Sequence, residues 1–171
     1  MDAFLAIVSK RDTRAYASRP IPEDVVTRLL EAGRVAGSAM NRQPWTFVVV
    51  EQPELRERLA DAVYVPDNVR GAALVVVLAL DGGAGVFDAG RAAQNMMLAA
   101  WNEGVASCPN GMPDPALAAE ALGLEESLRP QVILTFGYPA REREPGARAP
   151  EEWIAQADRK PLAEVVRHGS G

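Results

Sequence analysis

Residues Ala72 to Leu80 read A-A-L-V-V-V-L-A-L, the longest uninterrupted apolar run in the chain. Crossing a bilayer takes about 20 apolar residues, so a run of nine predicts a strand and not a membrane span. A strand with one wet face would alternate apolar and polar residues. This one does not, which predicts a position in the middle of a sheet covered on both faces by helices.

The flanking sequence supplies those helices and the remaining strands. W-T-F-V-V-V, Trp45 to Val50, and Val132 to Phe136 are β-branched and aromatic runs that predict two further strands. Phe4, Ile7 and Val8 form a helical stripe over Asp2 to Ser9, and Val25, Val26, Leu29 and Leu30 form another from about Pro22 to Arg34. Pro53 opens a charged helix to about Val63 with Leu55 and Leu59 inward, and Pro115 to Leu122 reads as a small Ala/Leu helix. From about Phe87 to Glu103 runs a longer helix whose second half, M-M-L-A-A-W, is apolar nearly all round, which predicts burial and a contact of Met96, Met97, Leu98 and Trp101 with a partner subunit. Y-V-P-D-N-V-R-G reads as a loop and S-C-P-N-G as a tight turn. The tail from Tyr138 carries four prolines and many charges, so Trp153, Ile154, Leu162, Val165 and Val166 are expected to dock as an arm on the body or on another subunit.

With 171 residues, 48% of them hydrophobic, no internal repeat and no linker, the chain is expected to be one domain over 1–171, with 138–171 as an extension. Eighteen Lys and Arg against 23 Asp and Glu leave a net charge of −5, which argues against a nucleic-acid binder. A single cysteine, Cys108, and a start without a basic n-region fit the cytoplasm. The lone histidine, His168, leaves neither a zinc cluster nor a Ser-His-Asp triad within reach, so no metal and no catalytic side chain are expected; a bound organic cofactor would carry any difficult chemistry. D-G-G-A-G-V-F-D imitates a dinucleotide-binding turn, but Asp88 stands where the third glycine belongs and suits the helix dipole instead, so that reading is rejected.

Three segments carry candidate chemistry. K-R-D-T-R, Lys10 to Arg14, gathers cations whose forks suit a phosphate, although a surface cluster capping the first helix has the same appearance; Arg159 and Lys160 form a second basic pair. G-S-A-M-N-R-Q-P-W offers Ser38, Asn41 and Gln43, whose amides both donate and accept, to a heterocycle edge or sugar chain. Pro109, Asn110 and Gly111 sit in a turn where glycine permits close backbone approach, and Cys108 beside them reads as a small packed hydrophobe.

Taken in order, K-R-D-T-R-x-Y, G-S-A-M-N-R-Q-P-W-T-F-V-V-V, G-R-A-A-Q-N-M-M-L-A-A-W-N-E-G-V-A-S-C-P-N-G, F-G-Y-P and the terminal R-K-P-L-A-E-V-V, the chain resembles the nitroreductase family of FMN enzymes over nearly its whole length. The resemblance implies an α+β three-layer α/β/α sandwich with a central, mostly antiparallel sheet and a C-terminal arm, dimerising with FMN at the interface. It further implies that Lys10, Arg11 and Arg14, joined by Arg159 and Lys160, bind the FMN phosphate and ribityl chain. Ser38 and Asn41 would reach the flavin from the other subunit, and Pro109, Asn110 and Gly111 would line its ring. NADH or NADPH would reduce FMN in a ping-pong cycle, with a nitroaromatic, quinone or enone as acceptor. Two departures stand out: Asp12 occupies a position where Ser or Thr is commoner and resembles the flavin-fragmenting dimethylbenzimidazole-synthase branch, and Gly37-Ser38 replaces the usual Pro-Ser. A flavin-binding protein without turnover is the third reading.

Overall fold

The computed structural model describes residues 1–82 and 85–169; Gly83, the first glycine of the rejected dinucleotide turn, lies outside the described residues. The described chain divides into two compact units, one of Arg11–Arg143 and one of Met1–Lys10 with the chain from Glu144 onward.

The larger unit holds a sheet of four strands, β1 (Trp45–Val49), β2 (Leu74–Asp81), β3 (Ala106–Asn110) and β4 (Leu128–Gly137), in the order β1-β2-β4-β3, with every ladder antiparallel. The apolar run is thus an interior strand, and Leu74 to Leu80 are all buried. Pleating sends alternate residues to opposite faces. Leu74, Val76, Leu78 and Leu80 pack with α2 (Glu23–Arg34) and α5 (Val86–Asn102), through Val25, Leu29, Ala92, Met96 and Ala100. Val75 and Val77 face the opposite way, onto Leu59 and Ala60 of α3 (Pro53–Ala60), Val69 of α4 (Pro66–Arg70) and Ala118 of α6 (Pro115–Leu122). Helix, sheet and helix form the expected three-layer α+β sandwich.

Several boundaries differ from the sequence reading, each for an identifiable reason. Residues 64–71, expected as a loop, contain α4, which begins with Pro66 at its first turn, a position where the missing N–H costs nothing. The expected turn at Ser107–Asn110 is β3, an edge strand that can accommodate Pro109. β4 starts four residues before the expected Val132, because Pro130 sits at a bulge where the register against β2 shifts between Leu78 and Ala79. Gly33 lets α2 approach α5: a Cβ there would come within 2.8 Å of Met96 Cγ. Met96, Met97 and Trp101, expected to face a partner, are buried within this chain. What α5 exposes includes Val86 and Phe87, the latter to 79%, and the face carrying Arg91 and Gln94.

In the smaller unit, α1 (Ala3–Ser9) packs against α7 (Pro150–Ala155) and the 3₁₀ turn Pro145–Ala147. Asp2 caps α1 by accepting the Phe4 N–H at 2.9 Å. Its buried positions are Ala6 and Ser9; the Phe4 and Ile7 stripe stays exposed. Of the five tail residues expected to dock, Trp153 alone is buried, its indole N–H donating to the Pro145 carbonyl at 2.9 Å under the Arg148 guanidinium. Ile154, Leu162, Val165 and Val166 are exposed, the last two at and beyond the end of α8 (Leu162–Val165).

Gly137, the last residue of β4, lies under the ring of Tyr16, and a Cβ there would fall 2.7 Å from Tyr16 Cγ. An aromatic ring stacked on backbone cannot yield that space by rotating a flexible end. Gly137→Ala is therefore expected to lower stability by about 1–3 kcal/mol, the usual cost of overpacking, as measured by urea denaturation.

Candidate functional site

The K-R-D-T-R segment divides between the two units. Lys10 ends the smaller one as the C-cap of α1, its N–H bonded to the Ala6 carbonyl at 3.1 Å. Arg11 opens the larger one, and from there the chain runs extended beside the outer edge of β3. Asp12 forms a parallel bridge with Ser107, and the Thr13 N–H donates to the Ser107 carbonyl at 3.0 Å. The extended alternation turns Thr13 inward, where it is buried, and leaves Asp12 and Arg14 exposed on the other side, with Arg11 half-buried. Thr13 Oγ1 and Ser107 Oγ are both buried at this junction without a hydrogen-bond partner among the described residues.

Arg14 then lines a cleft of about 160 Å³ together with Tyr64, Val65, Asn68, Pro109, Asn110 and Gly111. Two of the three predicted segments therefore meet, with β3 as the element that joins them. Tyr64 is a residue that the sequence reading missed. It stands 71% exposed in the turn between α3 and α4, its N–H reaching the Gly111 carbonyl at 3.4 Å and its ring 3.4 Å from where a Cβ on Gly111 would sit. An aromatic flanked by Val and Pro in a supposed loop was the available signal.

The Asn110 side chain does not point into the cleft as a ligand would require. It is buried, donating from Nδ2 to the carbonyls of Cys108 and Ile133 and to Thr135 Oγ1, at 3.0 to 3.1 Å, while Oδ1 accepts from Asn68 Nδ2 at 2.8 Å. What this residue can offer outward is backbone. Thr135 in turn donates to the Cys108 carbonyl at 3.2 Å and lies 3.0 Å from the Tyr16 hydroxyl. Burial pushes the Tyr16 phenol well above its ordinary pKa, so it remains a neutral hydrogen-bond partner. Cys108 is buried, as expected of a packed thiol.

The third segment lies elsewhere. Ser38, Asn41 and Gln43 precede β1, which is the opposite edge of the sheet from β3. Three interstrand spacings of about 4.8 Å put roughly 14 Å between the two edges. Within one chain these side chains do not line the Arg14 cleft. The loop is conformationally costly: Met40, Asn41 and Gln43 all have positive φ, between 51° and 55°. Non-glycine residues in that region cost about 1–2 kcal/mol each, so something must hold them there. Ser38 Oγ accepts the Gln43 N–H at 2.9 Å, and the buried Asp88 carboxylate on α5 accepts the Ala39 N–H at 3.1 Å. Asp88, read from sequence as a partner of the helix dipole, thus also ties the loop to α5. Gly37 is exposed, and a Cβ there would meet only the movable guanidinium of Arg91.

Arg159 and Lys160 are exposed in the smaller unit, with the Arg159 guanidinium donating to the Ala157 carbonyl at 2.7 Å. Among the described residues, no helix is long and apolar enough to cross a membrane and no group of three or more His, Cys, Asp or Glu is placed to hold a metal.

The α+β sandwich places its candidate binding groups at opposite edges of one sheet. The chain belongs to the nitroreductase family, whose description matches residues 7–78 and 66–138. An NADH dehydrogenase of Thermus thermophilus is 29% identical to it over 90% of this chain and 95% of its own length. A nitroreductase family protein of Clostridium difficile is 25% identical in its solved structure, with a TM-score of 0.83 and 99% of each chain covered. A protein of Desulfovibrio desulfuricans, solved in complex with FMN, is 27% identical, with a TM-score of 0.83 over 100% of this chain and 99% of its own.

Because Asp88 is the external acceptor for a strained loop, Asp88→Ala should cost about 1–3 kcal/mol through the unsatisfied Ala39 N–H, whereas Asp88→Asn, which keeps an acceptor oxygen, should cost less. Urea midpoints give the total, and limited proteolysis should show faster cleavage within residues 38–43 for the alanine variant alone.

Proposed function

We propose that this chain is an FMN-dependent oxidoreductase acting as a homodimer, taking reducing equivalents from NADH or NADPH and passing them to an electron-poor acceptor such as a nitroaromatic or a quinone. The observation that carries this reading is the junction at β3, where Arg14 and the backbone of Pro109, Asn110 and Gly111 share one cleft. Its donor set suits the cofactor: arginine forks match the nearly doubly charged phosphate of FMN, and main chain next to an exposed Tyr64 suits a planar ring. A cleft of about 160 Å³ is smaller than the roughly 300–1,000 Å³ of ligand pockets, which supports a site finished by a second copy. The loop of Ser38, Asn41 and Gln43, held on the far edge of the sheet, is the part that the second copy would contribute. Val86 and Phe87, exposed at the start of α5, supply apolar surface for that association.

In this reading Arg11 and Arg14 hold the phosphate, and Asp12 orients the neighbouring arginines. Bound FMN would supply hydride chemistry, accepting two electrons from the nicotinamide and releasing them to the acceptor. Pro109, Asn110 and Gly111 fix the ring from one side by their main chain. Donor and acceptor use the same cleft in turn, a ping-pong arrangement that needs no side-chain nucleophile.

The test is the visible spectrum of the purified protein, followed by addition of FMN and then of NADH or NADPH without oxygen. The protein is expected to be yellow or to gain thermal stability with FMN, more than with riboflavin, and the flavin to bleach on reduction. Indifference to FMN overturns the reading. Arg14→Ala should weaken FMN binding by about 1.5–3 kcal/mol, the scale of hydrogen bonds to a charged group, as measured by flavin fluorescence. Asp12→Ser should keep NAD(P)H oxidation within a few-fold; if it instead abolished an oxygen-dependent loss of flavin colour, the flavin-fragmenting activity would be the correct one. Sedimentation of the FMN-loaded protein should give a dimer.

A further inference from the structure

Beneath the cleft at β3 lies a chain of buried hydrogen bonds that joins four separate pieces of the fold. Tyr16, on the extended segment that continues from Arg14, places its hydroxyl 3.0 Å from Thr135 Oγ1 and 3.2 Å from the Thr135 carbonyl, in β4. Thr135 donates to the Cys108 carbonyl of β3 at 3.2 Å and receives Asn110 Nδ2 at 3.1 Å. Asn110 closes the chain by accepting from Asn68, on α4, at 2.8 Å. Thr135 is fully buried and Asn68 and Asn110 are each 5% exposed. Thr135 and Tyr16 line no part of the cleft, and the Asn68 amide is turned to Asn110.

A core position in a sheet is more cheaply filled by an apolar side chain, since a buried polar network is stabilising only when every member is satisfied. Here Thr135, Asn68 and the carbonyls of Cys108 and Ile133 all bond to the side chain of Asn110, whose own backbone forms the cleft wall. With that side chain held from three directions, the peptides from Pro109 to Gly111 cannot rotate independently of β4 and α4. The network also reaches Tyr16, two residues from Arg14, so the cationic segment and the cleft wall are set by one connected group of bonds.

We propose that Thr135 and Asn68 are positioning residues that act through Asn110 to fix the main chain of Pro109 to Gly111 against the bound flavin, a role that rests on the FMN reading given above. Their purpose is orientation, so an isostere lacking the hydrogen bond should change how the flavin is held more than it changes folding.

The experiment compares Thr135→Val, which keeps the shape and loses the hydroxyl, with Thr135→Ser, which keeps the hydroxyl, with Asn68→Ala, and with the double variant that carries both Thr135→Val and Asn68→Ala. All are read as full-length, FMN-titrated protein below their melting temperatures, by FMN Kd, by the visible absorption band at saturating FMN, and by kcat and KM for NAD(P)H. Thr135→Val and Asn68→Ala are each expected to weaken FMN about tenfold, to shift the flavin band and to lower kcat more than they raise KM. Thr135→Ser should stay within about threefold of the parent. The double variant should be little worse than either single one, because both changes act on the same side chain. Wild-type FMN binding with a Thr135→Val variant of unchanged Kd, band and kcat would overturn the positioning role alone. Strictly additive losses, or a Thr135→Ser variant as impaired as Thr135→Val, would likewise overturn it. A wild-type protein that binds no FMN would remove the functional reading and this role together. If Thr135→Val fails to fold, Thr135→Ser and Asn68→Ala decide by the same readouts.

Discussion

Leu74 to Leu80 lose contact with water on both sides of the sheet, and that demand organises the larger unit of the molecule. Each Val or Leu side chain so buried contributes about 1.5–3 kcal/mol relative to exposure, but only if a second layer exists on each face. One face is closed by α2 and α5 and the other by α3, α4 and α6. The interior place of β2 follows, because only a strand bonded on both edges can satisfy its backbone in a dry setting. With β2 and β4 committed to the centre, β1 and β3 become edges, and the three predicted ligand segments lie at those edges.

The edges are used differently. At β3 the chain adds the extended Arg11–Arg14 segment alongside and braces the strand's exit from behind by the Asn110, Thr135 and Asn68 hydrogen bonds. At β1 the approach is a loop in which three non-glycine residues hold positive φ, restrained by Ser38 within the loop and by Asp88 from α5. Local strain of this kind survives only where surroundings over-determine it, and it gathers where side chains must be presented at fixed angles. Both constructions place polar atoms accurately, one by a buried network and the other by tethering backbone.

Much of this architecture is legible in sequence because it depends on local periodicity. The continuous run at Ala72 to Leu80, the stripe of Val25, Leu29 and Leu30 and the Pro115 start of α6 are all short-range signals, and each element appears where its pattern puts it. Three of the boundary misreadings share a cause: proline. Pro66, Pro109 and Pro130 read locally as marks of irregular chain. In the structure they occupy a helix first turn, an edge strand and a bulge, the three settings where a missing N–H leaves nothing unpaired. Which of those settings applies depends on neighbours distant in sequence.

The sequence by itself determined the two-sided cover over β2 and the three segments that carry candidate chemistry, since apolar periodicity and residue type are properties of short stretches of chain, and its resemblance to the nitroreductase family implied the fold class. Only the tertiary structure decided that Arg14 and Pro109–Gly111 share a cleft while Ser38 and Asn41 stand at the other edge of the sheet, because strand order is set by pairing between distant segments. Only it turned the Asn110 side chain inward to Asn68 and Thr135, and buried Met96, Met97 and Trp101 within the chain. A side chain's outlook is fixed by what packs against it, and for these residues the packing partners lie tens of positions away along the chain.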